Sequence, residues 1–313
     1  MADTTPTNDS TSIRARALCG AARLAWYELD LAQARAHLDE ALALFRRAGD
    51  PAGMISAMSN LVIILTWQGE SDRALSLLQE GMDILGRLED RPSLLPVLSE
   101  FGFAAAQSAM PEALLDAMTV SQEVVRLARA AGDTRSLASG LANLGLIRYW
   151  ADDLAPARSF YEESLTRFRE AGDVWGASLA LWGLSNVARR QGRYAEARTF
   201  NAESMVLQTQ HKSPIGAPYT LESFAYIATA EEQPRRAARL LGAAQGIRER
   251  HGGSLQPLAL AEWERHCDAL CALLDPTEFE SAWAEGRAWT TEEAIARALD
   301  AEDRDATPPA QAP

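Results

Sequence analysis

His266, Cys267 and Cys271 are the residues of this sequence whose types and spacing come closest to a metal-binding motif. Cys267 and Cys271 are four residues apart and would share one face of a helix. A structural zinc site usually needs four ligands at characteristic spacing, and the sequence offers no second pair of ligands. We therefore predict no bound metal and interpret both cysteines as small, buried helix residues.

Neighbouring acids could act as a general acid and base, but their positions favour a simpler role. Asp152-Asp153, Glu162-Glu163 and Glu231-Glu232 fall at predicted turns or on exposed helix faces, where carboxylates are solvated or cap helices. The sequence has no His-Glu-x-x-His and no Gly-x-Ser-x-Gly motif. An enzyme would need a convergent set of polar groups, and the sequence motifs do not indicate one. We therefore predict neither catalysis nor a cofactor.

Composition limits the classes of partner. The 313 residues are 47% hydrophobic and carry a formal net charge of −13, whereas nucleic-acid binding needs basic side chains that neutralise phosphates. Three cysteines do not make a disulfide framework, which favours a reducing compartment. The polar N-terminus lacks the features of a signal peptide, and the longest apolar run, Leu61 to Leu65, is too short to cross a bilayer. These features predict a cytoplasmic protein without nucleic-acid or membrane partners.

The helices that would position a functional site are predicted by a repeat in the sequence. Ala-Gly-Asp triplets and their degenerate versions begin at residues 48, 88, 131, 171, 211 and 251. Alanines follow the same steps of 40, 43, 40, 40 and 40 residues: Ala34, Ala74, Ala117, Ala157, Ala197 and Ala237. Two series with the same three-residue slip indicate a repeat protein, in which each unit contacts its neighbours.

Each triplet suits the junction between two helices. Gly49 can take the left-handed conformation that ends a helix, Asp50 can cap the next helix, and Pro51 fits its first turn. We therefore predict six two-helix units over residues 13–253, with the three extra residues of the third unit near Met110-Pro111.

The two ends of the chain lack this period. Residues 254–299 should form a helical cap, whose last helix begins with a capping box at Thr290 or Thr291 and Glu293. Residues 1–12 and 300–313 are polar and are predicted to be disordered.

The aligned small, large and alanine positions resemble the tetratricopeptide repeat, in a variant longer than the usual roughly 34 residues. A period near 40 is similar to that of the C-terminal sensor repeats of LuxR-type transcriptional regulators with a STAND-type, ATP-dependent nucleotide switch. Arg235 to Ala244, Ala282 to Ala288 and Glu292 to Ile295 resemble the closing segment of that family. The family's phosphate-binding loop is absent, because the single lysine, Lys212, follows His211 where the motif requires glycine. ATPase activity and DNA binding therefore do not carry over.

The resemblance implies an all-α, right-handed α-solenoid whose concave groove is lined by the first helix of each unit. The register places aromatic residues and arginines there, which are typical anchors of a bound peptide, together with other polar residues. The predicted groove residues are Arg23, Tyr27, Trp67, Phe103, Trp150, Trp182, Asn186, Arg190, Glu222 and Tyr226. The alternative for each aromatic residue is packing between neighbouring helices.

Chaperone-binding relatives hold a C-terminal carboxylate with a lysine-asparagine clamp, which this chain lacks. The residues at the clamp lysine's position are Cys19, Ser59, Ser99, Ala142 and Trp182. The resemblance therefore disfavours a receptor for chaperone tails.

We predict a non-catalytic interaction module of bacterial regulation that binds a segment of a protein partner in its groove. The alternative is a sensor whose groove holds a small-molecule inducer between Trp150, Trp182 and Tyr226. A long, open groove would favour a peptide, whereas a closed pocket of a few hundred cubic ångströms would favour a small ligand.

Overall fold

The computed structural model describes residues 8–28, 30–90, 92–210 and 216–300, which form α-helices without a β-strand. The helices are α1 (Asn8–Tyr27), α2 (Leu31–Ala48), α3 (Pro51–Trp67), α4 (Ser71–Arg87), α5 (Leu95–Gln107), α6 (Leu114–Ala131), α7 (Thr134–Trp150), α8 (Leu154–Glu170), α9 (Val174–Arg190), α10 (Tyr194–Gln210), α11 (Ala217–Ala230), α12 (Pro234–Arg250), α13 (Pro257–Leu273), α14 (Pro276–Ala288) and α15 (Thr291–Leu299). Neighbouring helices such as α1 and α2, α7 and α8, and α11 and α12 contact each other, and the predicted all-α solenoid of helical repeats is confirmed.

The Ala-Gly-Asp triplets end one helix and cap the next, as predicted. Gly49 and Gly132 adopt φ angles of 66° and 69°, a region in which residues other than glycine are strained. The side chains of Asp50 and Asp133 each accept a hydrogen bond from the backbone N–H three residues further on, at 2.9 and 3.0 Å. Three consecutive residues therefore satisfy backbone groups at two helix ends.

The repeated alanines lie where the helices pack most closely. All six have no exposed surface: Ala34, Ala74, Ala117, Ala157, Ala197 and Ala237. Gly145 also permits close packing, because a Cβ atom there would lie 3.0 Å from the Tyr161 ring. The 40-residue register derived from the sequence therefore marks the helix–helix contacts correctly.

The extra residues of the third unit lie in its inner turn. Residues 108–113 separate α5 from α6, whereas residues 151–153 separate α7 from α8. The longer connection contains a 3₁₀ turn, Pro111–Ala113, because proline has no N–H to donate and fits the start of a helical turn. The predicted position of the slip is confirmed.

The described chain divides into two compact units. The first contains the described residues up to Ala180 together with residues 251–259, and the second contains residues 181–250 and the described residues from Leu260 onward. This division differs from the predicted border between repeats and cap at residue 253, because residues 251–259 pack with the first unit.

In the second unit, glycines allow α12 and α14 to touch through their backbones. A Cβ atom on Gly286 would overlap the carbonyl oxygen of Arg239, and one on Gly242 would overlap that of Trp283. The capping box before α15 is present, because Glu293 N donates to Thr290 Oγ1 at 3.1 Å and Thr290 N donates to Glu293 Oε2 at 2.8 Å.

The predicted disordered start is wrong for residues 8–12, since α1 already begins at Asn8. Its first turns are held because Thr11 and Ala15 are buried. Predictions for residues 1–7, for the tail from residue 301 and for the degenerate triplet at residues 211–213 lie outside the described residues. None of the described helices is long and apolar enough to cross a membrane.

Candidate functional site

Five of the predicted groove residues belong to the first unit, where they lie at different depths. Arg23 and Tyr27 are exposed on α1, Phe103 and Trp150 are half-buried, and Trp67 is buried. The first unit therefore does not present these residues as one exposed aromatic surface.

Trp67 serves the fold of the first unit. Its ring meets the ring of Trp26 edge-on, with centroids 5.6 Å apart. The backbone N and Oγ of Ser254 both donate to the Trp67 carbonyl oxygen, at 2.5 and 2.9 Å, and Gly253 lies so close that a Cβ atom there would be 3.2 Å from the indole. The prediction that Trp67 lines an open groove is therefore wrong, because the chain's own turn at residues 253–254 covers it.

All five predicted site residues of the second unit lie on α9 and α11, and four of them are buried or half-buried. Asn186, Glu222 and Tyr226 are only 4–5% exposed, and Trp182 is half-buried. Arg190, the fifth, is exposed. Burial means that these side chains already have partners inside the unit, and those partners define the site.

Trp182 and Asn186 join α9 to α11. Trp182 Nε1 donates to the Tyr219 carbonyl oxygen at 3.4 Å, and the two rings meet edge-on with centroids 6.1 Å apart. Asn186 Nδ2 donates to the Trp182 carbonyl oxygen at 3.0 Å, while its Oδ1 accepts from Ser223 Oγ at 3.2 Å. Both residues hold the two helices in register and support the surface beside them.

Helix α13 covers that surface through directional contacts. The His266 imidazole stacks on the Tyr226 ring, with centroids 3.9 Å apart and planes inclined by 13°. Arg189 Nη2 donates to Glu262 Oε1 at 2.5 Å, and its guanidinium carbon lies 5.0 Å from the Tyr226 centroid. One arginine of α9 and one ring of α11 therefore bind an acid and an imidazole that are four residues apart on one face of α13.

A second ion pair lies beside the first. Arg248 of α12 pairs with Glu222 of α11, and both side chains are at least nine-tenths buried. The Arg248 guanidinium carbon lies 5.4 Å from the Tyr219 centroid and 5.7 Å from that of Trp263 on α13, within the range of cation–π attraction. We call Arg189, Glu222, Tyr226 and Arg248 the α13 seat.

Burial dominates the electrostatics of the α13 seat. It raises the pKa of Glu222 even though the neighbouring Arg248 lowers it. It also lowers the pKa of His266 from 6.5 to about 4, with further lowering by Arg189 and an opposing effect of Glu262. The imidazole is therefore neutral at physiological pH, which suits a flat stack beside a guanidinium.

The sequence predicted Glu222 and Tyr226 of the α13 seat, but it did not predict Arg189, Arg248 or the contact of α13 with them. The repeat register predicted Arg190 as a groove residue, but Arg190 is exposed and the neighbouring Arg189 is buried in the α13 seat. A shift of one residue turns a side chain by about 100° around the helix axis, which a repeat period alone does not resolve. Arg248 and the α13 residues carry no periodic signal, so the sequence assigned α13 only to a cap.

The Cys267 thiol of α13 shows no sign of activation. Cys267 is half-buried, and burial, followed by Cys271, raises the pKa of its thiol to about 12. Metal ligation needs the thiolate. Across the part of the chain that the structure describes, no three His, Cys, Asp or Glu side chains converge on a point where a metal ion would fit.

Two stretches of the chain match family models for the tetratricopeptide repeat: residues 54–89 and residues 133–210. These stretches correspond to α3–α4 and α7–α10. The chain therefore carries tetratricopeptide repeats, a class that generally acts as a scaffold for protein–protein interaction. The resemblance to the sensor repeats of LuxR-type regulators stays a prediction.

No curated protein matches the chain. Among solved structures, the chain is similar to one titled "Crystal structure of BtubC (BKLC) from P. vanneervenii". The two share 16% sequence identity over 72% of this chain and 93% of the other, with a TM-score of 0.49.

Proposed function

We propose that this chain is a non-catalytic interaction module that binds a protein segment on the α13 seat. The observation that carries the proposal is that the same surface already holds a helix of its own chain, through an ion pair, a ring stack and cation–π contacts. A surface that accepts a helix in this way has the chemistry to accept another.

The composition of the α13 seat supports a role in recognition. Arginine and aromatic residues are enriched at protein–protein interfaces and among the residues that dominate their energies. The α13 seat combines two arginines with Tyr226, and Trp182 and Asn186 hold its helices in place. Binding an amphipathic helix in a groove is a recurring mode of peptide recognition.

The regulatory setting of the proposal comes from the sequence. The resemblance to bacterial sensor repeats favours a regulatory role for this chain. The contacts within the α13 seat are a ring stack, ion pairs and cation–π contacts, which supports a role in recognition. We propose a cytoplasmic regulatory protein whose partner is another protein.

The inducer-sensor alternative has less support. Tyr226, one of the three residues predicted to hold the inducer, is 5% exposed because His266 covers it. A cavity of about 130 Å³ in the second unit is lined by residues that include Arg198, Phe224 and Arg236, and none of the predicted inducer residues lines it.

Affinity capture from the source lysate with matched baits tests the proposal. One bait is wild type, and a second, the loosened variant, carries Glu262→Ala and His266→Ala to weaken the hold of α13. A third adds Arg189→Glu to the loosened variant. A fourth adds Arg193→Glu instead, since Arg193 is exposed and pairs locally with Glu196 at 3.0 Å. Circular dichroism verifies that all four are folded.

The proposal predicts a protein that the loosened variant captures more strongly than wild type does. Arg189→Glu should abolish that capture, and Arg193→Glu should leave it unchanged. Reconstitution with the purified partner should reproduce this order of affinities. If no captured protein depends on Arg189, or if native mass spectrometry finds a small ligand that depends on Arg189 instead, the proposal is wrong.

A further inference from the structure

We infer that α13 is an internal substitute for the partner, which must present a helix of the same chemistry and displace α13 in order to bind. That helix carries a carboxylate at the position of Glu262, an aromatic side chain at that of Trp263 and a flat, stacking ring at that of His266. This inference rests on the proposed function and adds the chemistry of the partner and the control of its access.

The pattern on α13 defines one binding face. Glu262 and His266 are four residues apart and contact Arg189 and Tyr226, while Trp263 contacts Arg248. Leu270, four residues after His266, has no exposed surface and anchors the same face. From Glu262 to Leu270 the helix rises about 12 Å, a span that a short peptide helix covers.

α13 is weakly packed for a helix of its length. Leu270 is its one fully buried residue over the 17 residues Pro257–Leu273, all of which the structure describes. α12 has the same length and eleven buried residues. Leu260 and Leu273 on α13 are 41% and 58% exposed. Elements with few buried contacts open at lower free energy than the core does, so α13 can leave without unfolding α12.

The α13 seat contains charged side chains, which water can solvate when α13 leaves. A permanent contact would be at least as stable with well-packed apolar residues, because burying charges has a desolvation cost that the ion pair only roughly offsets. The Nε and Nη2 atoms of Arg248 have no hydrogen-bond partner among the described residues, although Nη1 pairs with Glu222. Docked α13 therefore leaves donors unsatisfied, and a partner helix that offers an acceptor to Arg248 gains a charge-assisted hydrogen bond.

A partner helix fits these observations better than a second copy of this chain. A second copy offers the same α13, which competes with a tethered helix whose effective concentration is on the order of millimolar. At protein concentrations below millimolar, the α13 of a second copy therefore does not displace the tethered α13. A different protein can accept a hydrogen bond from Arg248 in addition to the ring contact that Trp263 of α13 makes.

Binding of a synthetic peptide in trans tests the inference on the full chain. The probe is a fluorescein-labelled peptide with the sequence of residues 257–274, titrated into wild type and into the loosened variant defined above. We expect at least tenfold tighter binding to the loosened variant, because its own α13 competes less. A peptide carrying Glu262→Ala and His266→Ala should lose this binding.

A charge exchange makes the test specific. Arg189→Glu in the loosened variant should abolish binding of the unaltered peptide, and a peptide carrying Glu262→Arg should restore it. Arg193→Glu in the loosened variant should have no effect. This rescue requires that the peptide occupy the place of α13, which a general loss of stability would not produce.

Three results would overturn the inference: no peptide binding to a folded loosened variant, no rescue by the Glu262→Arg peptide, or dimerisation of the loosened variant through exchanged α13 helices. Failure of the inference can be told apart from failure of the proposed function. If a captured partner still depends on Arg189 while the peptide does not bind, the α13 seat binds proteins but α13 does not resemble the partner. If neither depends on Arg189, both proposals fail.

Discussion

The imidazole of His266 lies flat on the phenol ring of Tyr226, with ring centroids 3.9 Å apart and planes inclined by 13°. This contact joins α13 to α11, and Arg189 contacts both helices, through the Tyr226 ring of α11 and the Glu262 carboxylate of α13. The stack depends on a neutral imidazole, because a charged one would face the Arg189 guanidinium in a buried place. The protonation of one residue therefore bears on how firmly α13 is held.

The stability of the docked α13 should fall in mild acid. Burial first, then Arg189 and Arg265, hold the pKa of folded His266 near 4 against the effect of Glu262, while the ordinary value is 6.5. A group whose folded pKa is lowered contributes stability that is complete above pH 6.5 and is lost as the pH falls towards 4. The loss should be on the order of 2 kcal/mol, since the ring is not completely buried.

The control for this prediction is His266→Phe, which keeps a flat ring and removes the titration. Urea unfolding at several pH values should show wild type losing stability relative to His266→Phe between pH 6.5 and 4. Burial raises the pKa of Glu222, which acts in the opposite direction, but Glu222 is present in both proteins and cancels in the comparison. Parallel pH profiles would show that His266 is not responsible.

Gly286→Ala should destabilise the second unit by about 3 kcal/mol, because the new methyl group would overlap the Arg239 carbonyl oxygen and push α14 away from α12. Gly20→Ala is the matched control in α1. A Cβ atom there meets nothing within 4 Å, so alanine should stabilise that helix by about 0.5–1 kcal/mol through its higher helix propensity. Thermal unfolding measures both changes, and equal effects would contradict the close backbone contact.

Asp133→Ala should cost about 1 kcal/mol, because the carboxylate accepts hydrogen bonds from both the backbone N–H and the hydroxyl of Ser136 at the start of α7. Asp133→Asn should cost less, since asparagine also caps helices well. Asp153 precedes α8 without a side-chain capping bond, so Asp153→Ala should change stability by less than about 0.5 kcal/mol. Chemical denaturation of the three variants would expose an error in the capping assignment if Asp133→Ala and Asp153→Ala behaved alike.

Arg236→Met should release α15 from the second unit. The Arg236 guanidinium donates to the carbonyl oxygens of Ala298 and Asp300 at 3.0 and 3.1 Å, where the helix ends, and buried carbonyls without a donor cost about 1–3 kcal/mol. We expect faster proteolysis within residues 291–299. Arg235→Met is the control, because exposed Arg235 pairs with Glu278 at the surface, where an ion pair contributes less than about 1 kcal/mol. Equal cleavage rates would contradict this role of Arg236.

The sequence predicted those parts of the fold that depend on residues close together in the chain. The φ angle of Gly49, the Asp50 cap and the Thr290–Glu293 box each involve at most four residues, so their residue types suffice to assign them. The buried alanines follow from the repeat itself, because each unit solves the same packing problem at the same position.

The candidate site was predictable only in part. Glu222 and Tyr226 were found because the register carries them to the inner side of α11, but their burial beneath α13 was not. The ion pair between Arg189 and Glu262 joins residues 73 positions apart, and no periodicity links α13 to the repeats. Trp67 was misassigned for the same reason, since its cover comes from Ser254, 187 residues away.

Hydrogen exchange of the intact wild-type chain tests the central claim most directly, namely that α13 is held on the α13 seat as an exchangeable helix. The account predicts that amides 264–272 of α13 open with a free energy at least about 2 kcal/mol below that of amides 240–248 in α12. Arg189→Ala should lower the α13 value further and leave α12 unchanged. If α13 and α12 open together with the same free energy, α13 is a permanent part of the core and the account is wrong.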